Sequence, residues 1–224
     1  MADSLEDLYV LPRCAAEIVW LFEDPQFLLI EKPARLLSVP GRHPDNYDSV
    51  IVRMQRTHPA AAIVHRLDFD TSGIMVVPLG KSALSHISRQ FQQRSVHKTY
   101  TAMVQGLVEA DESEIDLPIA ADAEQRPKYK ICALTGKPSL TQYRVLIRDE
   151  AAATTRVLLH PVTGRSHQLR LHLHAIGHPI LGCSFYSSGG SATAAERLLL
   201  HATELQFDHP VTGERVIGKS TPPF

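Results

Sequence analysis

Cysteine, aromatic residues and net charge are all scarce in this chain. Its 224 residues include 3 Cys, 1 Trp and 6% aromatics, with a formal net charge of −1. Cys14, Cys132 and Cys183 are odd in number, widely spread and in no CxxC pair, which argues against a disulfide framework and against a thiolate zinc site. No stretch approaches the roughly 20 uncharged apolar residues that a membrane span requires. The N-terminus MADSLEDLYV is acidic and has neither the basic start nor the apolar centre of a signal peptide, so the expected location is the cytoplasm. Repeats, low-complexity tracts and Ser/Gly linkers are also missing. What is there is a hydrophobic fraction of 44%, ample for a packed core.

The near-zero net charge conceals segregation along the chain. Residues 109–124 carry Glu109, Asp111, Glu112, Glu114, Asp116, Asp122 and Glu124 with no base. Residues 125–148 carry Arg126, Lys128, Lys130, Lys137, Arg144 and Arg148 with no acid. Residues 81–108 add Lys81, Arg89, Arg94 and Lys98. Either the opposite runs neutralise each other across the fold, or the basic segments form a face for a polyanion.

Short apolar runs with turn signals predict a hairpin from Ile18–Phe22 and Phe27–Ile30, and a buried strand over Ile74–Leu79. Further strands are expected at Thr99–Val104, Gln142–Ile147, Arg156–His160 and Leu198–Phe207. Helical spacing predicts helices near Asp48–Thr57 and over Lys81–Arg94. A third helix is expected over Ser166–Ile176, with the serine as its cap and Gly177 as its stop. Residues 109–139 read as loop-rich. The pattern predicts a single α+β domain on a mixed, largely antiparallel sheet with flanking helices and loops.

The stretch HRLDFDTSG at 65–73 concentrates charge immediately before the apolar run IMVVPL. An Arg66/Asp68 or Arg66/Asp70 ion pair on a solvated turn, with Thr71 and Ser72 capping their own backbone, is the plain reading. His65, Asp68 and Ser72 supply the residue types of a hydrolytic triad, but on one turn and without a GxSxG elbow. A zinc site from His167, His172, His174 and His178 lacks a carboxylate anywhere in 151–195, so structural histidines are the better account. A third reading makes Asp68 a carboxylate working alone on a polyanion, with Arg66 entering a nucleic acid.

HRLDFDTSG is preceded by EKPARLLSVPG and followed by HKTY and GRSHQLRLHLHAIGHPILG. In order and spacing these motifs resemble the RluA-type pseudouridine synthases, from about Ile18 to the final TPPF. LLSVPGR and RPKYKICALTGKP look most like the short RluA branch, whose members modify uridines in 23S ribosomal RNA and in the tRNA anticodon stem-loop. EKPAR stands where NKPSG is commoner, which puts Arg35 at a glycine position, and FDTSG differs in its variable pair. Longer relatives carry an N-terminal S4 module. Here residues 1–17 are expected to be a short extension and residues 18–224 the bare catalytic domain, with no S4 domain.

The resemblance implies a pseudouridine synthase fold and an isomerase that breaks the uracil N1–ribose bond, rotates the base and rejoins it through C5, with no cofactor or metal. Asp68 matches the catalytic aspartate. An ionised carboxylate can attack the sugar C1′ or take a proton from C2′, and both routes stay open. Arg165 matches the arginine that pairs with the aspartate, Tyr100 the tyrosine that stacks on the base, and Leu169 supplies an apolar floor. The uridine must be extruded from its stem-loop, with Arg66 filling the vacated space. Lys128, Lys130 and Arg94 are expected at phosphates, and a monomer with RNA as its partner and no membrane association is expected. A non-catalytic RNA-binding factor would have no use for a carboxylate facing a polyanion, so Asp68, Tyr100 and Arg165 together favour the enzyme.

Overall fold

The apolar runs at 27–30 and 74–79 enter buried strands, whereas the run at 18–22 enters an exposed one. In a computed structural model, which describes residues 9–224, β1 (Val19–Glu23), β2 (Phe27–Lys32) and β3 (Ser72–Pro78) form successive antiparallel ladders. All seven residues of β3 are buried, as expected of a continuous apolar run covered on both faces. The expected extension over 1–17 falls partly on residues 1–8, which lie outside the described residues.

The chain forms two compact units. The first comprises the chain up to Val96 with Glu204–Thr221, and the second His97–Thr203 with Pro222–Phe224. In the first unit α1 (Val50–Gln55) and α2 (Lys81–Gln93) accompany β1 to β3. Helix α2 buries Ala83, Ile87 and Gln90 on one stripe. The Gln90 amide donates to the Asp208 carbonyl and accepts from the Asp208 N–H, both at 2.7 Å, so one side chain satisfies a residue of backbone. Phe27 and Phe207 meet edge to face at 5.0 Å in this core.

The second unit is built on β4 (His97–Gln105), β5 (Glu112–Asp116), β8 (Leu140–Asp149) and β9 (Thr154–Pro161), hydrogen-bonded in the order β4, β9, β8, β5 with every ladder antiparallel. A separate hairpin is made by β6 (Ile119–Ala121) and β7 (Tyr129–Ile131). Helix α3 (Gln168–Ala175) follows β9. Its apolar residues Leu169, Leu171 and Leu173 join Ala102, Val104, Val157 and Leu159 in this unit's core. Strand β10 (Leu200–Asp208) leads from the second unit back to the first, where β11 (Arg215–Lys219) pairs with its end.

The α+β class and the antiparallel sheet agree with the sequence reading, and two details do not. Residues 109–139, expected as loops, contain β5, β6 and β7. Only Ile115 of β5 is buried, so an edge strand of acidic residues gave little apolar signal. Helix α3 starts after His167 in a left-handed conformation, φ 56°, instead of being capped by Ser166. Its stop is as expected, with Gly177 at φ 85° where a side chain would be strained.

Candidate active site

The HRLD loop is fixed by its backbone. Leu67 is buried, and the Ser38 hydroxyl donates to its carbonyl at 2.9 Å and accepts from its N–H at 3.1 Å. Beyond Asp68, the Phe69 carbonyl accepts from the Arg35 N–H at 2.8 Å and from the Lys32 ammonium at 3.2 Å. The same ammonium donates to the carbonyls of Pro33 and Leu36, both at 2.8 Å, and Lys32 is 0% exposed. Buried cations persist when several acceptors surround them, and here those acceptors belong to the turn and the loop on either side of the charge. The Thr71 N–H closes the turn onto the Asp68 carbonyl at 3.2 Å. His65 accepts from the Val76 N–H at 3.1 Å and stacks on Phe91 at 4.9 Å.

Asp68 is therefore held between two clamped neighbours, Leu67 and Phe69, and its side chain is partly exposed. Arg66 is exposed. The glycine position of the resemblance is occupied by Arg35 at φ 62°, so the turn keeps the left-handed backbone that glycine would adopt and bears the strain of a side chain there.

Tyr100, Arg165 and Leu169 belong to the second unit. Tyr100 lies on β4 opposite Leu159 of β9 and packs against the core that contains Leu169, itself 7% exposed. Arg165 sits in the loop between β9 and α3, with its guanidinium Nε and Nη2 each 3.4 Å from the Pro138 carbonyl. Its backbone is set by Gln168, whose Oε1 accepts from the Arg165 N–H at 3.0 Å and from Thr163 Oγ1 at 2.7 Å. Gln168 Nε2 donates to the Leu140 carbonyl and to Thr141 Oγ1, both at 3.0 Å. Thr141 in turn lies 2.9 Å from Nδ1 of buried His172, whose Nε2 is 3.0 Å from the Leu117 carbonyl. A carbonyl can only accept, so Nε2 carries the proton and Nδ1 accepts from Thr141. Burial holds the His172 pKa below the ordinary 6.5, in keeping with that neutral form.

Of the other histidines of the cluster, His167 and His178 also have hydrogen-bond partners, whereas His174 Nδ1 is buried without one. His167 Nδ1 is 2.8 Å from the Tyr186 hydroxyl, and His178 Nδ1 is 2.9 Å from the Gln105 carbonyl. Among the described residues no group of three His, Cys, Asp or Glu side chains is placed to hold a metal ion.

Part of the basic run is neutralised within the second unit. Arg148 binds Asp111 at 2.7 Å and donates to the carbonyls of Val108 and Glu109, Arg144 stands opposite Glu112 in the β5–β8 ladder, and Lys130 is 3.4 Å from Asp122. Lys130 keeps 50% of its side chain exposed, whereas Arg148 is a structural residue.

The family model described as RNA pseudouridylate synthase matches residues 26–175. The chain belongs to this family. It is 49% identical over 196 residues to the dual-specificity RNA pseudouridine synthase RluA of Yersinia pestis, covering 88% of this chain and 95% of that one. It is 47% identical over 207 residues to the protein of the same name from Escherichia coli K12, covering 92% and 94%. Among solved structures, human RNA pseudouridylate synthase domain containing 1 superimposes with a TM-score of 0.79 at 30% identity, over 95% of this chain and 86% of that one. The protein is thus an RNA pseudouridine synthase, an isomerase whose substrate is RNA. Lys32, Ser38 and Gln168, which hold the loops of this synthase, carry no functional expectation from the sequence because their task is to bind backbone groups.

Proposed function

We propose that the protein isomerises uridine in 23S ribosomal RNA, in the tRNA anticodon stem-loop, or in both, with Asp68 as the catalytic carboxylate and the uridine flipped out of its stack. The choice of RNA rests on the resemblance of LLSVPGR and RPKYKICALTGKP to the short RluA branch, and two relatives named as dual-specificity RNA synthases, aligned over about nine-tenths of this chain, are in keeping with it. The observation that carries the role of Asp68 is the double clamp on its backbone, by Ser38 at Leu67 and by Lys32 and the Arg35 N–H at Phe69. A single carboxylate that must meet one atom of an extruded sugar gains most from a backbone that cannot drift. Tyr100 and Leu169 supply apolar surface for the uracil, Arg165 supports the charged carboxylate, and exposed Arg66 occupies the space that the base leaves in the RNA. Lys128, Lys130 and Arg94 meet phosphates. The protein works as a monomer in the cytoplasm.

Asp68→Asn keeps the shape and removes the charge. The variant is expected to fold and to bind RNA while forming no pseudouridine, and turnover by a preparation free of other synthases would overturn the assignment. Pseudouridine mapping in RNA from cells with and without the gene identifies the substrate. Sites lost from transfer RNA alone, or from ribosomal RNA alone, would limit the dual assignment accordingly.

A further inference from the structure

The β6–β7 hairpin holds together through three residue pairs, Ile119 with Ile131, Ala120 with Lys130 and Ala121 with Tyr129. A two-stranded ribbon this short is not stable in water without an anchor. On β6 Ile119 exchanges backbone hydrogen bonds with Lys137, and on β7 the Tyr129 N–H donates to the Tyr186 hydroxyl at 2.8 Å. The same hydroxyl lies 2.8 Å from His167 Nδ1. The hydroxyl and that nitrogen share one proton, whichever of the two carries it. His167 is the left-handed residue, φ 56°, between the Arg165 loop and α3. Its ring meets those of Tyr129 at 5.2 Å and Tyr186 at 5.6 Å, both edge to face. Tyr186 is 5% exposed, and its ring lies under the guanidinium of buried Arg170 at 5.7 Å. One buried hydroxyl therefore joins the hairpin bearing Lys128 and Lys130 to the side chain of His167, two residues beyond Arg165.

We propose that Tyr186, with His167 as its partner, is a positioning residue for the synthase reaction, a clamp that holds the basic hairpin in fixed register with the Arg165 loop. The inference rests on the reading that Lys128 and Lys130 meet RNA phosphates. A hairpin without the clamp still carries its charges, but these no longer place the RNA relative to Arg165.

Tyr186→Phe tests the clamp, because it keeps the ring beneath Arg170 and deletes only the hydroxyl. Amide exchange over residues 119–131 should rise about tenfold, the effect of one lost hydrogen bond, while β4, β8 and β9 stay protected. The single-turnover rate at saturating RNA should fall about tenfold or more, as a small displacement of bound RNA does. His167→Asn, which tolerates the left-handed backbone and offers an acceptor, should retain most of the rate, and His167→Ala should not. Unchanged exchange in Tyr186→Phe, or an unchanged rate at saturation, overturns the clamp. The phosphate reading is tested separately by Lys128→Ala with Lys130→Ala in the otherwise unaltered protein. If RNA affinity and its salt dependence stay the same there, that reading fails whatever Tyr186 does.

Discussion

Lys32→Met removes a buried charge while keeping a side chain of similar length. The ammonium serves the carbonyls of Pro33, Leu36 and Phe69 at 2.8, 2.8 and 3.2 Å. Phe69 keeps its bond from the Arg35 N–H, so the first two carbonyls lose most. Leaving each without this donor costs about 1–3 kcal/mol, and the relief of no longer burying an ammonium offsets part of that, for a net loss of about 3 kcal/mol. In a domain of this size such a loss lowers Tm by roughly 6–12 °C. The turn at 33–36 and the Phe69 end of the HRLD loop should loosen together, since one cation holds both. At 20 °C, where the variant stays folded, single-turnover pseudouridine formation should therefore fall about tenfold or more. Thermal denaturation and single-turnover assays on the same preparation provide both numbers. A Tm within about 2 °C of the parent would refute the stability argument. A full loss of Tm with an unchanged rate would show that the clamp stabilises the fold without positioning Asp68.

The two classes of basic residue should separate in salt titrations. Lys128→Ala with Lys130→Ala should weaken RNA binding about uniformly across sequences and lower the salt slope by roughly one to two, whereas Arg165→Met should damage turnover far more than affinity. A flattened salt dependence with a spared rate in Arg165→Met would make Arg165 a phosphate contact. The lowered pKa of His172 fixes the sign of a pH effect. The unfolded chain takes up this proton near 6.5 and the folded protein only at lower pH, so the stabilisation is complete above 6.5 and declines as pH falls below it. Tm measured from pH 7.5 to pH 5 should drop less in His172→Gln than in the parent, and parallel curves would refute the assignment.

The sequence was most informative where burial is continuous. IMVVPL became β3 and the 81–94 periodicity became α2, because an apolar run and an amphipathic stripe write their burial into residue types. It was least informative between 109 and 139. There β5 buries one residue, and the hairpin gains one of its anchors from Tyr186, more than fifty residues along the chain. The charge runs were legible, but their destinations were not. Arg148 and Lys128 look alike in sequence, yet Arg148 ties Val108, Glu109 and Asp111 together while Lys128 reaches only Gln125 in its own turn.

The candidate site divides along the same physical line. Asp68, Tyr100, Arg165, Leu169 and Arg66 were singled out through the motifs that resemble the RluA-type synthases, and a motif is a record of residue types. Lys32, Ser38 and Gln168 act on peptide groups, and a carbonyl or N–H is the same whatever residue carries it. Their targets are set by the path of the chain in three dimensions: Ser38 reaches Leu67 across 29 positions, and Gln168 reaches Leu140 across 28. Arg35 shows the converse. Its type argues against a left-handed turn, yet it adopts φ 62° and donates its N–H to Phe69, so the backbone geometry of the site persists where the residue best suited to it is absent. In this fold the loops that carry the proposed chemistry are defined by their backbone hydrogen bonds. Substitutions that spare every proposed substrate contact but remove one of those bonds should therefore still lower the rate of isomerisation.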